Sequence, residues 1–591
     1  MLTTQNQPIM NSTKIKSNIY IQATIVLAFS IVFCLGCRTK ATVLAWDTAN
    51  TPLDFPEAKL NLPSTGVCFS GGGTRAMNCA LGQMKGLDSL GLWNDIGYIS
   101  AVSGGSWAST IFTYYNSGAE NDKQLLGTIA KPNEISMELL GYMPKGFMGE
   151  VISKHLIDDA LERLALGSLT LGILQKMDYV WIDAVGSTYL KPYGLYDPKH
   201  PKYFTLNDST RNAILDRNPK LKVSDFITVH NQKGDIKRPF LIVNSSLLAP
   251  NKYLPIKNPE NLSVFNYTPL YIGSNNPIGV TDTEILTGKT ISFNAGGGFV
   301  ESFGFGSDLL RSQNRQLLNN QATKLRVKLA KQRFEAVDAT GTSSAAYGAM
   351  FSSSLLAQVG SEILTHFSAD QLIPEEEYWP ISENGVVEDA QKYRFTDGGN
   401  LENFGLISLL QRGVKKAVVF INTNTPLDVT LEPSANCPPL PSQVSSDLFP
   451  LFGYNTGNQI HNQVFKQSDF NIVYEGLAKA KKEGKTVMTK TKLKTKANKW
   501  WGIKENQSVE VLWVYNEFVY DWYKDLPDEV KKEICKGPNG KFPDFPLYKL
   551  IGENGLINGI SLTKEQVNLL YQLSAWNVYS NKEVFDFLKG K

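Results

Sequence analysis

Cysteine and histidine are scarce. Six cysteines and five histidines are spread over 591 residues, without the C-x-x-C and H-x-x-x-H spacing of a zinc module, and a histidine-rich metal centre has too few ligands. Cys34-x-x-Cys37 lies in an apolar leader, away from any βαβ pattern, so it does not read as a redox pair. Charged residues make up 19% of the chain, below the ~25% of ordinary soluble domains. The net charge is +3, so bulk charge points to no nucleic-acid partner. No 20–50-residue repeat divides the chain. The hydrophobic fraction of 42% and aromatic fraction of 11% exclude a disordered chain and allow a large core.

The N-terminus carries a leader pattern. Lys14 and Lys16 precede an uncharged apolar run from Ile19 to Gly36, an n-region followed by an h-region. Gly36-Cys37 resembles a bacterial lipoprotein cleavage site, with Cys37 as the lipid-bearing residue. Cys34 stands where that signal usually has leucine. A cleaved signal peptide and an uncleaved anchor stay open. The expectation is residues 1–37 as leader, 38–60 as linker and 61–591 as one catalytic-type domain, exported or associated with a membrane.

Within that domain, Gly66–Ser70 reads as a short apolar strand, broken by Gly71-Gly72-Gly73. Met77, Ala80, Leu81, Met84, Leu87 and Leu90 then recur at helical spacing up to Gly91. Tyr98–Val102 is a second strand, and Ser103-Gly104-Gly105 leads into a second helix. Strand, helix, strand, helix is the grammar of a parallel sheet with covering helices. It fades over 117–390, where Val151–Leu166 is an amphipathic helix, and resumes with a strand at Lys392–Thr396, a helix at Phe404–Leu410 and a buried-type strand at Lys416–Asn422. This reads as one α/β core split by a cap-like insertion (about 117–390) and followed by an extension (about 428–591). Thr563-x-x-Gln566 is a capping box for a last helix. Cys68 and Cys79 fall in apolar patterns and read as buried and inert.

Three elements carry chemistry. Ser103 sits between a strand and a helix with small neighbours, as a serine on a strained turn requires, and the helix N-terminus behind it offers N–H groups to an oxyanion. Ser70-Gly71-Gly72-Gly73-Thr74-Arg75 is a second strand-to-helix junction whose glycines let backbone N–H groups approach an anion. It lacks the lysine and hydroxyl residue of a P-loop and does not meet G-x-G-x-x-G. Asp397-Gly398-Gly399 follows a strand, where a carboxylate can accept a proton from a serine. Taken singly, each is also an ordinary turn.

Together, GGGTRAM (Gly71–Met77), VSGGSW (Val102–Trp107) and DGGNLENFGL (Asp397–Leu406) resemble the catalytic domain of cytosolic phospholipase A2, a relative of the patatin-like acyl hydrolases. The resemblance is dense over 65–115 and 392–422, and loose at Val300–Gly304 and Gly341–Ser344. It implies a three-layer α/β sandwich with a mostly parallel central sheet. It implies Ser103 as nucleophile and Asp397 as general base of a Ser-Asp dyad, with an oxyanion hole from Gly72 and Gly73, joined by Gly104. Arg75 matches the family arginine that steadies the substrate phosphate, and Arg412, in Gln411-Arg412-Gly413, a second one. No cofactor or metal is implied. His155, His200, His230, His366 and His461 stand in no nucleophile context. The implied activity is hydrolysis of fatty-acyl esters of phospholipids or lysophospholipids through an acyl-serine. An acyltransferase on the same fold, and a non-catalytic anchored binding protein, are the other readings. The calcium-binding C2 domain of many cytosolic members is not expected in the roughly 60 residues ahead of the glycine loop, nor is calcium-driven docking.

Two further patterns bear on partners. Lys490, Lys492, Lys494 and Lys496 alternate with Thr491, Leu493 and Thr495, so one strand face carries four ammonium groups close to Trp500 and Trp501. An anionic lipid surface suits such a face, and so does an edge strand guarded against aggregation. Asn244-Ser245-Ser246 and Asn266-Tyr267-Thr268 match the glycan-acceptor pattern, which matters only in a eukaryotic host.

Overall fold

The computed structural model describes residues 38–591 except 116–118, 157–159, 161, 164–176, 231–235, 251–262, 276–277, 284–286, 320, 346–372, 383, 432–438, 455–460, 550–560 and 591. The chain divides into two units, Met1–Lys40 and Ala41–Lys591. The leader, Cys34 and Cys37 lie outside the described residues, as do Cys437, His366 and residues 157–159, 161 and 164–166 of the helix expected over 151–166. Among the described residues no helix is long and apolar enough to cross a membrane.

The second unit is organised by a 14-stranded sheet. In chain order its strands are β1 (Lys40–Trp46), β2 (Thr65–Phe69), β3 (Tyr98–Val102), β4 (Phe240–Pro250), β5 (Ser263–Tyr267), β6 (Tyr271–Ser274), β7 (Gly298–Glu301), β8 (Asp308–Leu309), β9 (Thr323–Lys328), β10 (Glu375–Tyr378), β11 (Gln391–Asp397), β12 (Lys416–Ile421), β13 (Met488–Lys494) and β14 (Ser508–Tyr515). They run in the order β8-β9-β1-β7-β6-β5-β4-β3-β2-β12-β14-β13, with β11 joining β4 to β10. The centre, β4-β3-β2-β12-β14, is parallel throughout, and antiparallel strands extend it on both sides.

The central strands are buried on both faces, which is why they read as continuous apolar runs. Their side chains alternate between two cores. Val67, Phe69, Ile99, Ala101, Val418 and Phe420 pack with Met77, Leu81 and Met84 of α1 (Gly73–Ser89), Trp107 and Ile111 of α2 (Gly104–Tyr114), and Leu570 and Val578 of α6 (Lys564–Tyr579). Cys68, Ala417, Val419, Ile421, Val511 and Trp513 face the other way, onto Leu406 and Leu409 of α4 (Leu406–Gln411) and Phe470, Val473 and Leu477 of α5 (Asp469–Lys482). Helices thus cover both faces of the parallel centre, as the three-layer expectation requires. The α6 capping box forms: the Thr563 hydroxyl accepts from the Gln566 amide at 3.2 Å, and the Gln566 side chain accepts from the Thr563 amide at 2.9 Å.

Three expectations are corrected. Residues 38–60 are not a linker. Lys40–Trp46 is β1 of the main sheet, with Ala45 and Trp46 opposite Val300 and Phe299, and Phe55 and Glu57 are buried. The stretch 117–390, expected as a cap-like insertion that splits the core, belongs to the core: it supplies β4–β10 to the same sheet, including β4 beside β3. The extension likewise provides β13, β14 and the helix α6 packed on α1.

The lysine strip forms for three of its four members, because the strand ends at Lys494 and Lys496 lies beyond it. Lys490, Lys492 and Lys494 are exposed, while Thr491 and Leu493 point inward, and β13 is the edge of the sheet. Lys490 lies over the Phe587 ring, and Lys496 donates to Gln463 at 2.6 Å. The two tryptophans do not join this face: Trp501 is fully buried and bonded to Asn462, and Trp500 stacks on His461.

Candidate active site

The site is set by what happens along one edge of β4. β3 pairs with its first half, ending with Val102 opposite Asn244. β11, running the other way, takes over the same edge and ends with Asp397 opposite Ser245. Two strands that are remote in sequence therefore meet head to head at consecutive rungs, and the residues after each end, Ser103 and Gly398, turn out of the sheet together. A Cβ added at Gly398 would fall 3.1 Å from Val102 Cγ1 and 2.5 Å from the Asn244 carbonyl oxygen.

Ser103 is buried and has φ 49°, ψ −124°, a left-handed-side conformation that costs a residue with a Cβ about 1–3 kcal/mol. Its carbonyl accepts from the Ser106 amide at 2.9 Å and the Ser106 hydroxyl at 2.6 Å. Its amide donates to Ser343 Oγ at 3.0 Å. α2 begins at the next residue, so its N-terminal N–H groups open toward the serine. This is the strained strand-to-helix turn that projects a serine Oγ from a sheet.

The glycine loop leaves β2 one strand over. The Gly71 amide donates to the Asn403 carbonyl at 3.0 Å. Gly72 and Gly73, with φ of +133° and +59°, form the entry to α1, whose first N–H groups have no intrahelical acceptor by construction. The loop and the serine turn touch through their backbones: a Cβ at Gly104 would lie 2.7 Å from the Gly73 carbonyl carbon and 2.8 Å from its nitrogen. Gly72, Gly73 and Gly104 are thus brought to one place, at the N-termini of two helices whose dipoles favour negative charge.

Asp397 is buried, and its carboxylate accepts from the Gly399 amide at 2.6 Å. β11 is pinned beneath it by two hydroxyls of β4: Ser245 donates to the Thr396 carbonyl at 2.7 Å and Ser246 to the Asp397 carbonyl at 3.0 Å. Arg75 is also at the site. Its Nε donates to the Asn422 carbonyl at 3.1 Å and Nη1 to the Tyr548 carbonyl at 2.8 Å. A Cβ at Gly72 would stand 2.6 Å from Nη2, so a buried cation lies directly against the glycine loop.

Arg412 is elsewhere. It follows α4, one residue ahead of the turn into β12. The neighbouring turn bonds to Ser64, at the start of β2 and the opposite end of that strand from Gly71. Its guanidinium is buried against Glu57 at 2.7 Å, Tyr271 at 2.8 Å, Asn266 at 3.2 Å and the Ser408 carbonyl at 2.8 Å, over the Phe55 ring. The phosphate-binding expectation for Arg412 is therefore corrected: its donors are spent on tying the Phe55–Glu57 segment to the core.

Several residues here were not anticipated. Ser343, at the end of α3 (Ala336–Thr342), bridges the two turns. Asn403 donates to Asp447 at 2.7 Å, and burial raises the Asp447 carboxyl above its usual range, opposed by the bonds to Asn403 and Ser445 and by the Arg75 charge. Glu402 is buried and receives the amides of Phe404 and Ile407 at 2.8 and 3.1 Å, capping α4. Desolvation lifts its pKa to about 7 against those two bonds. Asn403 and Glu402 lie inside the aspartate motif and were legible there, whereas Asp447 carries no local signal. Among the described residues, no group of three or more His, Cys, Asp and Glu side chains is arranged to hold a metal ion.

No family model matches the chain. Short segments are similar to curated proteins: 42% identical over 73 residues to mouse cytosolic phospholipase A2 zeta, 41% over 70 residues to the human zeta enzyme, and 33% over 90 residues to human cytosolic phospholipase A2 beta. These segments take in 12–15% of this chain and only 8–11% of those proteins. Among solved structures, human GIVD cytosolic phospholipase A2 aligns over 90% of this chain and 62% of its own, at 12% identity and a TM-score of 0.45. A structure of that enzyme with methyl gamma-linolenyl fluorophosphonate aligns at 14% identity and a TM-score of 0.39.

Proposed function

We propose that the protein is a serine acyl hydrolase that cleaves fatty-acyl esters of glycerophospholipids or lysophospholipids at a membrane surface. One observation carries the reading: the strained serine turn of β3 and the aspartate turn of β11 meet at adjacent rungs of β4, against a glycine loop that opens a helix. The segmental similarity to cytosolic phospholipases A2 supports the substrate class.

In this reading Asp397 takes the proton of Ser103 as Oγ attacks the ester carbonyl. The tetrahedral oxyanion is received by the amides of Gly72 and Gly73, with Gly104 beside them; such a donor is worth about 10²–10³ in rate. The buried Arg75 adds fixed positive charge under the loop, and an anionic phosphoester nearby gains from the same field. Collapse expels the lysolipid or glycerol alcohol, which takes the proton held by Asp397. Water, deprotonated by Asp397, then attacks the acyl-serine, and collapse frees the fatty acid as Asp397 returns the proton to the departing Ser103 Oγ.

A long-chain fluorophosphonate probe and a mixed-acyl phospholipid test this together. Wild-type protein is expected to label on Ser103 and to release fatty acid. Ser103→Ala and Asp397→Ala are expected to fold and lose both. A folded Ser103→Ala protein with full esterase activity would refute the assignment.

A further inference from the structure

Ser343 occupies the gap where β3 leaves the sheet. Up to Val102 the ladder between β3 and β4 is regular, and Val102 stands opposite Asn244. At the next position the chain turns, and no rung of the ladder can receive the Ser103 amide. The Ser343 hydroxyl enters instead: Oγ accepts from the Ser103 amide at 3.0 Å and donates to the Asn244 carbonyl at 2.6 Å. A side-chain hydroxyl thus completes the missing rung. The Ser343 carbonyl reaches the other turn, accepting from the Gly398 amide at 3.3 Å. Ser343 itself is fully buried and fixed by its own amide, bonded to the Ala339 carbonyl at 3.0 Å at the end of α3.

We propose that Ser343 is a positioning residue of the Ser103–Asp397 site, holding the serine turn in its strained conformation and setting it against the aspartate turn. The proposal rests on the serine-hydrolase reading above. The physical argument is that a positive φ at a residue with a Cβ persists only where surrounding bonds over-determine it. The Ser103 amide is one of the few groups able to do so, and its partner is this hydroxyl. Without it the turn can relax toward ordinary φ and swing Oγ away from Asp397. A displacement of about 1 Å costs on the order of a hundredfold in rate. Ser343 is fully buried and presents no surface to a lipid, so lipid affinity should not follow.

The test uses the full chain, a long-chain fluorophosphonate probe and a phospholipid in mixed micelles. For Ser343→Ala, labelling rate and kcat are expected to fall about ten- to hundredfold with KM for the lipid nearly unchanged. Ser344→Ala is the structural control. That neighbouring hydroxyl accepts the indole N–H of Trp107 and of Trp181, each at 3.0 Å, so its loss should lower thermal stability and leave the labelling rate as in wild type. If Ser343→Ala does not fold, Ser343→Cys, which keeps the volume but replaces the strong acceptor with sulfur, is expected to show the same kcat loss. Labelled wild type together with a wild-type rate in whichever of these two variants folds overturns this proposal alone. Wild type that never labels on Ser103 overturns the hydrolase reading and this proposal with it.

Discussion

Gly104→Ala probes the contact on which the site depends. In the native structure the added Cβ would run into the Gly73 carbonyl oxygen, and would lie 2.7 Å from that carbonyl's carbon and 2.8 Å from the Gly73 nitrogen, where non-bonded atoms settle at about 3.5–4.0 Å. One turn must therefore retreat by at least about 1 Å. Neither is loose. The glycine loop is held by the Gly71 and Ser70 amides, bonded to the Asn403 and Phe420 carbonyls at 3.0 and 3.3 Å, and the serine turn by Ser343. Overpacking of this kind costs about 1–3 kcal/mol of stability. Its larger effect should be kinetic, because the retreat separates Ser103 from the Gly72 and Gly73 amides, and a misplacement near 1 Å costs about 10² in rate. The expected result is a folded protein, slightly destabilised, whose fluorophosphonate labelling and phospholipid hydrolysis fall about a hundredfold. Gly141→Ala is the comparison: that glycine is helical with nothing within 4 Å of an added Cβ, so it should be neutral or gain up to about 1 kcal/mol. A Gly104→Ala protein that labels as fast as wild type would show that the two turns need not touch, and the oxyanion assignment would go with it.

Glu402 and Arg412 give two further tests. Glu402 is held at about 7 from an ordinary 4.5, so between those values the native protein keeps a proton that the unfolded chain has lost. Stability therefore falls as pH rises through that window, by about 3 kcal/mol in all. Glu402→Gln should remove this share of the slope in denaturant melts between pH 4.5 and 7, at the cost of about 1 kcal/mol for the lost cap bond; unchanged slopes would refute the assignment. Arg412→Ala leaves the Glu57 carboxylate buried without its cation, for which about 3–5 kcal/mol of destabilisation is expected, while KM for the phospholipid stays as in wild type. A stable variant with a raised KM would return Arg412 to the substrate phosphate.

The parallel strands β2, β3 and β12 were legible because both of their faces are buried, so each is a plain apolar run closed by glycine or a charge. β1 was not: only alternate residues of Lys40–Trp46 are inward, and its partner β7 lies some 250 residues downstream. The same distance hid the role of 117–390, whose strands find their neighbours across the sheet rather than along the chain. Ser103, Asp397 and the glycines announced themselves because a strained turn and a backbone anion site restrict residue type locally. Arg412 looked like a site residue for the same local reason, its Gln-Arg-Gly context. Its actual partner, Glu57, is 355 positions away in a stretch read as linker. Ser343 shows the opposite failure: only the loose resemblance over Gly341–Ser344 touches it, and that names no role, since its bonds run to Asn244, 99 residues away, and Ser103, 240 away.

The segment Asn244-Ser245-Ser246 shows how a motif changes meaning once its surroundings are known. As a glycan acceptor it would have to be exposed, yet Asn244, Ser245 and Ser246 are all buried in β4. Each instead fixes a register. The Asn244 side chain donates to the Ala101 carbonyl at 3.0 Å and the Ser100 hydroxyl at 2.9 Å, holding β3, and accepts from Ser408 of α4 at 2.7 Å. Ser245 and Ser246 hold β11 through consecutive carbonyls. A slip of one residue in either pairing would send the strand's side chains to the opposite faces of the sheet, and would move Ser103 or Asp397 by about 3.4 Å along β4. Apolar side chains alone tolerate some sliding along a strand, whereas hydrogen bonds to particular carbonyls do not. Three polar residues in the middle of a sheet are costly to desolvate. That they are nevertheless bonded one by one to the two strands that end at Ser103 and Asp397 is the strongest structural reason for regarding the junction of those strands as the working part of the molecule.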